Sequence, residues 1–381
     1  MGSLRSPAKV LLAPQELKGT LTASEAVLAI VEGLRAAVPL SGDRGAADEI
    51  DSVALADGGP GTIDALVAAA GEGAEVRVAR VRDALGREVH ARWALLPGAV
   101  AIVEMAEAAG LWRISSTERT EANALGASTF GVGELIREAL EAGASRVLVG
   151  AGGSATTDGG RGTLEALGAT VREDGDRWEV DLCGLVGVDA ARLEVMTDVR
   201  HPLLGPLGAA RVFGPQKGLA TVQSIAIAEE RLRRWAEALE RATGRAGLSE
   251  REGSGAAGGL AFGLACAFDA AIRSGFEAVA DAVRLRERLA RCEVVLTAEG
   301  RLDAQTAHGK GPAALAQLAA EAGVPCVLFA GSVAEDADTS PFAEVVTVAV
   351  REGEEEAGLP SPAAARARLV EAARAWRVRA S

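Results

Sequence analysis

Short, continuously apolar runs lie near both ends of this chain, and they restrict its fold more than any other feature. They occupy residues 10–13, 53–56, 294–297, 327–330 and 345–350. Runs of this kind are typical of strands buried on both faces of a parallel sheet. Helical segments separate them, with a capping box at Thr22 and Glu25 and helix starts near Thr62, Pro312 and Ser361. We therefore predict a doubly wound α/β domain that is built from both ends of the chain and interrupted by an insertion.

The middle of the chain follows a different pattern. Runs at residues 76–81, 89–95 and 100–105 are close together and separated by turns, which favours antiparallel strands with short connections. Farther on, the spacing predicts a helix at 134–142, a strand at 147–149 and an amphipathic helix at 231–241. The Ala/Gly-rich stretch at 255–272 carries Asp269, so we predict a packed helix there and not a membrane span.

Composition and charge limit the partners that the chain can bind. The 381 residues are enough for two domains, and 49% of them are hydrophobic although only 3% are aromatic. The net charge of -13 argues against nucleic acid or an anionic membrane surface as a partner. The four cysteines are widely spaced and the first residues do not resemble a signal peptide. We therefore expect a cytoplasmic protein with reduced thiols and no membrane partner.

Acids and lysines occur where ligands of open α/β sheets bind, beyond the carboxyl ends of the strands. Asp57 and Glu299 each follow a predicted strand and precede a glycine, and Asp198 follows the predicted strand at 193–196. Only four of the 40 basic residues are lysines, and three of them adjoin a glycine in a predicted loop, namely Lys18, Lys217 and Lys310. Such lysines indicate positions that need a compact ammonium group instead of a guanidinium.

A glycine-rich loop at residues 150–160 follows a predicted strand and precedes a predicted helix. Backbone N–H groups at a helix start can hold a phosphate or a carboxylate. The same loop fits the G-x-G-x-x-A pattern of dinucleotide-binding folds, with Glu173 or Asp174 as the later acid, so an NAD(P)-dependent enzyme is an alternative. Asp158 weighs against it, because an acid at the helix start would repel a pyrophosphate. The sequence contains neither a P-loop nor a hydrolase G-x-S-x-G motif.

These loops, taken in order, resemble those of the bacterial type-one glycerate kinases. The resemblance covers about residues 10–350 and includes Lys18-Gly19-Thr20, Asp57-Gly58-Gly59, Glu104-Met105-Ala106, Gly152-Gly153-Ser154-Ala155-Thr156, Asp158-Gly159-Gly160, Asp198-Val199, Gly214-Pro215-Gln216-Lys217-Gly218, Glu299-Gly300-Arg301 with Asp303, and Gly309-Lys310.

The resemblance implies a fold and a reaction. The fold would be a CheY/flavodoxin-like parallel-sheet domain of residues 1–74 and 285–381, interrupted by a restriction-enzyme-like α/β domain of residues 75–284, with the active site in the cleft between them. The reaction would use ATP and Mg²⁺ to transfer the γ-phosphoryl group to a hydroxyl of D-glycerate, giving 2-phosphoglycerate or 3-phosphoglycerate. A homo-oligomer is compatible with it.

The loop chemistry, combined with the resemblance, suggests a role for each candidate residue. Phosphates or the transferring group would be held by Gly152, Gly153, Ser154, Thr156, Lys310 and the catalytic residue Lys217. Asp198 would orient or deprotonate the substrate hydroxyl, with Asp57 as the second candidate. Glu299 and Asp303 would hold Mg²⁺, which usually keeps several water ligands. Lys18 and Arg301 would pair with the glycerate carboxylate.

The first loop departs from the usual family pattern. Gln15 and Glu16 replace the Asp-Ser pair that usually precedes the family's Phe-Lys-Gly, so an acid that could bind metal or a substrate hydroxyl is displaced. A kinase of a related small hydroxy-acid is therefore an alternative. A nucleotide-binding protein without catalytic activity is another.

Overall fold

The computed structural model describes residues 9–17, 19–37, 49–174, 177–186, 192–302, 311–348 and 360–380, and these residues form both strands and helices. The strands are β1 (Lys9–Leu12), β2 (Glu49–Ser52), β3 (Glu75–Arg82), β4 (Glu88–Leu96), β5 (Val100–Glu104), β6 (Arg146–Gly150), β7 (Thr170–Asp174), β8 (Arg177–Asp181), β9 (Arg192–Met196), β10 (Ala271–Arg273), β11 (Val294–Leu302), β12 (Cys326–Val333) and β13 (Glu344–Thr347). The α-helices are α1 (Ala23–Ala36), α2 (Thr62–Ala70), α3 (Met105–Ala109), α4 (Glu121–Gly126), α5 (Phe130–Glu141), α6 (Arg161–Ala166), α7 (Ala209–Lys217), α8 (Val222–Thr243), α9 (Ala256–Phe268), α10 (Gly275–Ala282), α11 (Leu285–Leu289), α12 (Pro312–Glu321) and α13 (Pro362–Ala380).

The chain forms two units, each with its own sheet and core. The first contains Met1–Ala56, Asp64–Ala69 and Val279–Ser381, and the second contains Asp57–Ile63 and Ala70–Ala278. Together they make a mixed α/β protein with parallel sheets, as the apolar runs predicted.

The sheet of the first unit has five parallel strands in the order β13-β12-β11-β1-β2. One predicted strand was misplaced, because β2 is the polar segment Glu49–Ser52 and not the apolar run at 53–56. That run continues the pairing beyond β2, with bonds from Val53 N to Leu12 O (2.8 Å) and from Leu55 N to Pro14 O (2.9 Å). An edge strand has a neighbour on one side only, so it tolerates polar side chains. Those polar side chains are the reason that hydrophobic pattern did not identify β2.

Strand β11 is longer than the sequence predicted. It continues through the segment expected to be a loop after residue 297, and Glu299 and Arg301 pair in register with Ala330 and Ser332 of β12. Side chains two positions apart lie on one face of a strand. The structure therefore places Glu299 and Arg301 on one face of the sheet, at the carboxyl end of β11.

Helices α1 and α13 pack against each other and cover this sheet. The capping box predicted at Thr22 and Glu25 begins α1. Trp376 of α13 is buried and packs edge-on against Phe329 of β12, with ring centroids 6.4 Å apart. Gly33 lets the two helices approach closely, since a Cβ at this position would overlap the backbone of Val370.

The sheet of the second unit has six strands in the order β10-β9-β6-β5-β4-β3. The antiparallel arrangement predicted for residues 76–105 is confirmed by the β3–β4 and β4–β5 ladders. Strands β5, β6, β9 and β10 are parallel. Consequently the carboxyl ends of β5, β6 and β9, followed by Met105, Ala151 and Thr197, lie at the same edge.

Helix α9 corresponds to the Ala/Gly-rich stretch, and nearly all of it is buried, as predicted for a packed helix. Its first turn is irregular, because Ala257, Gly258 and Gly259 have left-handed backbone angles. Helix α8 packs against α9 and against the β7–β8 hairpin. The ring centroids of Trp178 in the hairpin and Trp235 in α8 are 6.1 Å apart. Among the helices of the described ranges, none is long and apolar enough to cross a membrane.

Candidate active site

The glycine-rich loop after β6 is held on two sides by backbone hydrogen bonds of the second unit. Gly152 N donates to Gly58 O at 3.0 Å. On the other side, Leu111 N donates to Gly153 O and Ala155 N donates to Ala109 O, both at 2.9 Å. Gly152 is required for the first contact, since a Cβ there would overlap Gly59. These bonds fix the loop in place and leave some of its own donors unused.

Several donors of this loop have no partner in the part of the chain that the structure describes. The N–H groups of Gly153, Ser154 and Thr156 donate to no acceptor there. The buried hydroxyls of Thr156 and Thr157 likewise have no hydrogen-bond partner among the described residues. Gly153 is exposed and has a left-handed φ of 71°. Unpaired donors grouped in one turn can bind an anion, and buried donors without partners call for a ligand.

The predicted helix start does not supply these donors, which corrects the expectation from the sequence. Helix α6 has six residues, and the carboxylate of Asp158 caps its first turn by accepting from Gly160 N (3.2 Å) and Gly162 N (3.1 Å). The same carboxylate also accepts from the N–H and the hydroxyl of Thr129, both at 2.8 Å. The N–H groups available to an anion therefore precede Asp158 in the loop.

Lys217 lies behind the loop, at the end of α7. It is 4% exposed, and its Nζ donates to Ser154 Oγ at 2.8 Å and to Thr156 O at 2.6 Å. Burial lowers the pKa of Lys217 to about 7, although the negative charge of Asp158 opposes that shift. The structure thus brings Lys217 to the predicted phosphate loop, where its ammonium group contacts protein atoms.

Asp57 and Asp198 both reach the start of α10. Asp198 accepts from Ser274 Oγ (2.7 Å), Gly275 N (3.0 Å) and Phe276 N (3.2 Å). The backbone carbonyl of Asp57 lies against Gly275, and Asp57 Oδ1 accepts from Gly59 N at 3.1 Å. Burial, together with the nearby charge of Asp57, raises the pKa of Asp198 despite the Ser274 hydrogen bond. The negative charge of Asp57 therefore disfavours the ionised form of Asp198.

The remaining candidates belong to the first unit. Glu299 and Arg301 lie at the carboxyl end of β11, whereas Lys18, Asp303 and Lys310 fall outside the described residues. Gln15 is 8% exposed, and its Nε2 is buried with no hydrogen-bond partner in the described segments. Its amide packs against Gly311, where a Cβ would overlap Oε1.

Two structurally important acids received no role from the sequence. Glu104 ends β5 and is 3% exposed, and its Oε1 accepts from Ile63 N at 2.6 Å at the start of α2. Asp158 connects the starts of α5 and α6. Glu104 lies inside the apolar run predicted at 100–105, and an acid in such a run is a signal that could have singled it out. Nothing in the local sequence marked the partners of Asp158.

Comparison with known proteins agrees with this loop chemistry. The model of the glycerate kinase family matches residues 10–375. This chain belongs to that family. It is therefore grouped with phosphotransferase enzymes, as the motifs indicated.

Individual members of the glycerate kinase family are similar over most of their length. A glycerate 2-kinase of Escherichia coli is 37% identical over 343 residues, which cover 86% of each chain. A glycerate kinase of Bacillus subtilis is 36% identical over 344 residues, or 87% of this chain and 86% of that one. A crystal structure from Salmonella typhimurium LT2, provisionally named glycerate kinase 2, superposes with a TM-score of 0.77 at 34% identity and covers 97% of both chains.

Proposed function

We propose that this protein transfers the γ-phosphoryl group of ATP to a hydroxyl of D-glycerate, giving 2-phosphoglycerate or 3-phosphoglycerate. The observation that carries the proposal is the loop from Gly152 to Thr156, whose unpaired N–H and hydroxyl donors are backed by a buried lysine. Phosphoryl transfer needs positioning and neutralisation of negative charge more than covalent chemistry. A donor-rich loop of this kind meets that need, and the names of the relatives agree with it.

Asp198 is proposed to orient or deprotonate the hydroxyl that attacks the phosphorus atom. Its raised pKa makes its carboxylate a better proton acceptor than an ordinary aspartate. Three donors occupy part of its accepting capacity, and a carboxylate can accept about four hydrogen bonds, which leaves room for the substrate hydroxyl. Asp57 is the second candidate for the same role, because it is half-buried and near Asp198.

The first unit is proposed to supply the carboxylate-binding and metal-binding groups. Arg301 and Lys18 would pair with the carboxylate of glycerate, and Lys310 would contact the nucleotide phosphates. Glu299 and Asp303 would hold Mg²⁺, and the carboxylate oxygens of Glu299 at the end of β11 are the hard ligands that this ion prefers. When bound, Mg²⁺ neutralises charge on the phosphates.

The decisive experiment is a coupled assay of ADP release with D-glycerate, ATP and Mg²⁺. We expect release only when all three are present, and ³¹P NMR of the product identifies the phosphorylated hydroxyl. Absence of ADP release with D-glycerate and with every related hydroxy-acid, despite ATP binding, would mean that the protein binds nucleotide without catalysis. Absorbance change with NAD(P)H would support the dehydrogenase alternative instead.

Gln15 supports a second candidate, a kinase of a related small hydroxy-acid. A buried amide whose Nε2 lacks a partner among the described residues offers a donor where the family usually has an acid. A panel of hydroxy-acids in the ADP assay tests this candidate. We expect Gln15→Asp to shift the ratio of kcat/KM values between glycerate and the preferred acid, and an unchanged ratio would argue against a role for Gln15 in selection.

The domain organisation is proposed in the same terms. We infer a flavodoxin-like domain of residues 1–74 and 285–381 and an inserted restriction-enzyme-like domain of residues 75–284. The strand order of the first unit supports this, because β2-β1-β11-β12-β13 follows the flavodoxin-like order 2-1-3-4-5. The four cysteines are free, which supports a reducing, cytoplasmic location.

A further inference from the structure

The ammonium group of Lys217 is enclosed by protein, and both of its hydrogen bonds end on the glycine-rich loop. It reaches Ser154 Oγ at 2.8 Å and Thr156 O at 2.6 Å from a side chain that is 4% exposed. Gly218 ends α7 with a left-handed φ of 115° and packs against the backbone of Arg119 and Thr120, which fixes the position of the lysine. A residue placed in this way can act on a ligand through the loop.

The bond to Ser154 determines where the serine hydrogen can point. An ammonium group only donates, so Ser154 Oγ is the acceptor and its own hydrogen must be directed elsewhere. That hydrogen meets no acceptor among the residues that the structure describes. A hydroxyl that accepts from a charged donor is also polarised, which strengthens its own donation. The Ser154 hydroxyl therefore points its hydrogen in a defined direction, and a ligand can supply the acceptor for it.

The bond to Thr156 O has a parallel effect on the backbone. In a trans peptide the C=O and the following N–H lie in one plane and point in opposite directions. Because Lys217 fixes the carbonyl of Thr156, the N–H of Thr157 points away from the lysine. That N–H also donates to no acceptor in the described ranges. Two donors of the loop thus owe their direction to a single side chain.

Asp158 supplies the counter-charge for this arrangement. Burial raises its pKa, but all four of its partners donate to it, and the hydroxyl of Thr129 accepts in turn from Thr163 N at 3.0 Å. A network in which every partner donates fits the ionised carboxylate. Its negative charge opposes the lowered pKa of Lys217.

Helices α8 and α9 pack against α7 and bring no competing charge to Lys217 from their described residues. The first turn of α9, Ala257 to Gly259, has no ionisable side chain. Glu229 of α8 accepts instead from Gly205 N at 2.7 Å and lies 3.7 Å from Arg211. Asp158 is therefore the charged group whose field reaches Lys217 within the described residues.

We propose that Lys217, with Asp158 as its counter-charge, is a positioning residue that directs the Ser154 hydroxyl and the Thr157 N–H toward a phosphate group of the bound nucleotide. The inference rests on the proposed kinase function. In this mechanism Lys217 orients the Ser154 hydroxyl and does not contact the phosphate directly. Asp158 provides the negative charge that favours the protonated form of Lys217.

A double-mutant cycle of Lys217→Met and Ser154→Ala tests this mechanism. Each single variant is expected to lower kcat/KM for ATP roughly 10- to 100-fold, the range for loss of a hydrogen bond to a charged group. Because the lysine acts through the serine, Ser154→Ala in the Lys217→Met background should add less than about threefold. Lys9→Met, at an exposed ion pair with Glu49, and Ser145→Ala, at an exposed serine, are the matched controls.

The proposal would be overturned if the loss of kcat/KM in the double variant equalled the product of the losses in the two single variants. That result would show that Lys217 and Ser154 act separately. The same cycle measured on the Kd for ATP by calorimetry keeps this test separate from the kinase assignment. If no substrate supports ADP release, the proposed function fails while the coupling in ATP binding is still measured.

If Lys217→Met does not fold, the pH profile of kcat/KM provides the test with Ser154→Ala alone. The wild type is expected to lose activity as pH rises through about 7, where Lys217 loses its charge. If the charge of Lys217 acts through the serine, kcat/KM of Ser154→Ala should fall less steeply than that of the wild type as pH rises through about 7. An equally steep limb in the variant would contradict the mechanism.

Discussion

At the scale of single residues, the proposed chemistry depends on charged groups whose surroundings alter their proton affinity. Burial raises the pKa of Asp198 and lowers the pKa of Lys217, so in both cases it favours the neutral form of the side chain. Asp198 is stabilised by the start of α10, and Lys217 by the loop after β6. Each of these residues therefore makes hydrogen bonds that hold the local structure and also has a shifted pKa. Substitutions must be chosen so that the two effects can be measured separately.

Replacing Asp198 with Asn tests its role as the proton acceptor. We expect kcat to fall by roughly 10²–10⁴-fold, the usual effect of losing a general base. Ser274→Ala is the control, since it removes one hydrogen bond to Asp198 and leaves the carboxylate, so its effect should be much smaller. A kcat of Asp198→Asn within threefold of the wild type would remove Asp198 from this role.

Lys217 should also make the stability of the protein depend on pH. Its pKa is about 7 in the folded state, against an ordinary value of 10.5, so the unfolded chain binds the proton more tightly. The free energy of unfolding should therefore rise with pH between about 7 and 10.5, and Lys217 adds no slope below about 7.

Urea unfolding between pH 7 and about 8 measures this slope, and any contribution from thiols, whose ordinary pKa is about 8.5, is common to the proteins compared. Lys217→Met should have a flatter dependence than the wild type and than the Lys9→Met control. Equal slopes in all three proteins would show that Lys217 keeps an ordinary pKa in the fold.

At the scale of elements, close approaches between segments place the loop and the helices. Gly258 of α9 has a φ of 66°, and a Cβ there would overlap the carbonyl of Thr156, which also accepts from Lys217. Gly33 performs the corresponding function between α1 and α13. Each glycine therefore serves a specific approach between elements, which sequence periodicity does not reveal.

Gly258→Ala should displace the glycine-rich loop. Gly244→Ala is a matched control, because Gly244 has a similar φ of 70° and a Cβ added there would have nothing within 4 Å. Both variants bear the left-handed strain of about 1–2 kcal/mol. Only Gly258→Ala is expected to raise the KM for ATP as well, roughly tenfold or more. Equal effects of the two variants on KM would separate this glycine from the site.

Trp376→Ala tests the packing of α13 on the first unit's sheet. Removing this buried indole, which packs against Phe329, should lower the free energy of unfolding by about 3–5 kcal/mol. Val378→Ala on the same helix is the control, because Val378 is 59% exposed and should change stability little. Similar midpoints for the two variants in urea unfolding would contradict this packing of Trp376.

At the scale of the whole molecule, the proposed site residues are distributed over both units. The phosphate loop, Lys217, Asp57 and Asp198 belong to the second unit, and Glu299 and Arg301 belong to the first. The net charge of -13 makes the binding of anionic substrates depend on local donors and cations, since the chain as a whole repels them. Added Mg²⁺ would reduce that repulsion at the phosphates.

Removal of Mg²⁺ tests the metal assignment. EDTA should abolish ADP release, and excess Mg²⁺ should restore it. Glu299→Gln should raise the Mg²⁺ concentration for half-maximal rate about tenfold or more, which corresponds to about 1.4 kcal/mol. Glu293→Gln, near the start of the same strand, is the control. An unchanged Mg²⁺ dependence in Glu299→Gln would exclude that carboxylate as a ligand.

The sequence by itself determined the α/β class, the parallel and antiparallel strand groups and the loops that carry the family's motifs. These features depend on local pattern, since burial on one or two faces leaves a period in the sequence. It misplaced β2 and the end of β11, where an edge position and a long ladder override hydrophobic pattern. Only the tertiary structure decided that Asp158 caps α6 and that Lys217 is buried against Ser154 and Thr156. Those contacts join residues far apart in the chain, and no local pattern specifies which distant donor meets which acceptor.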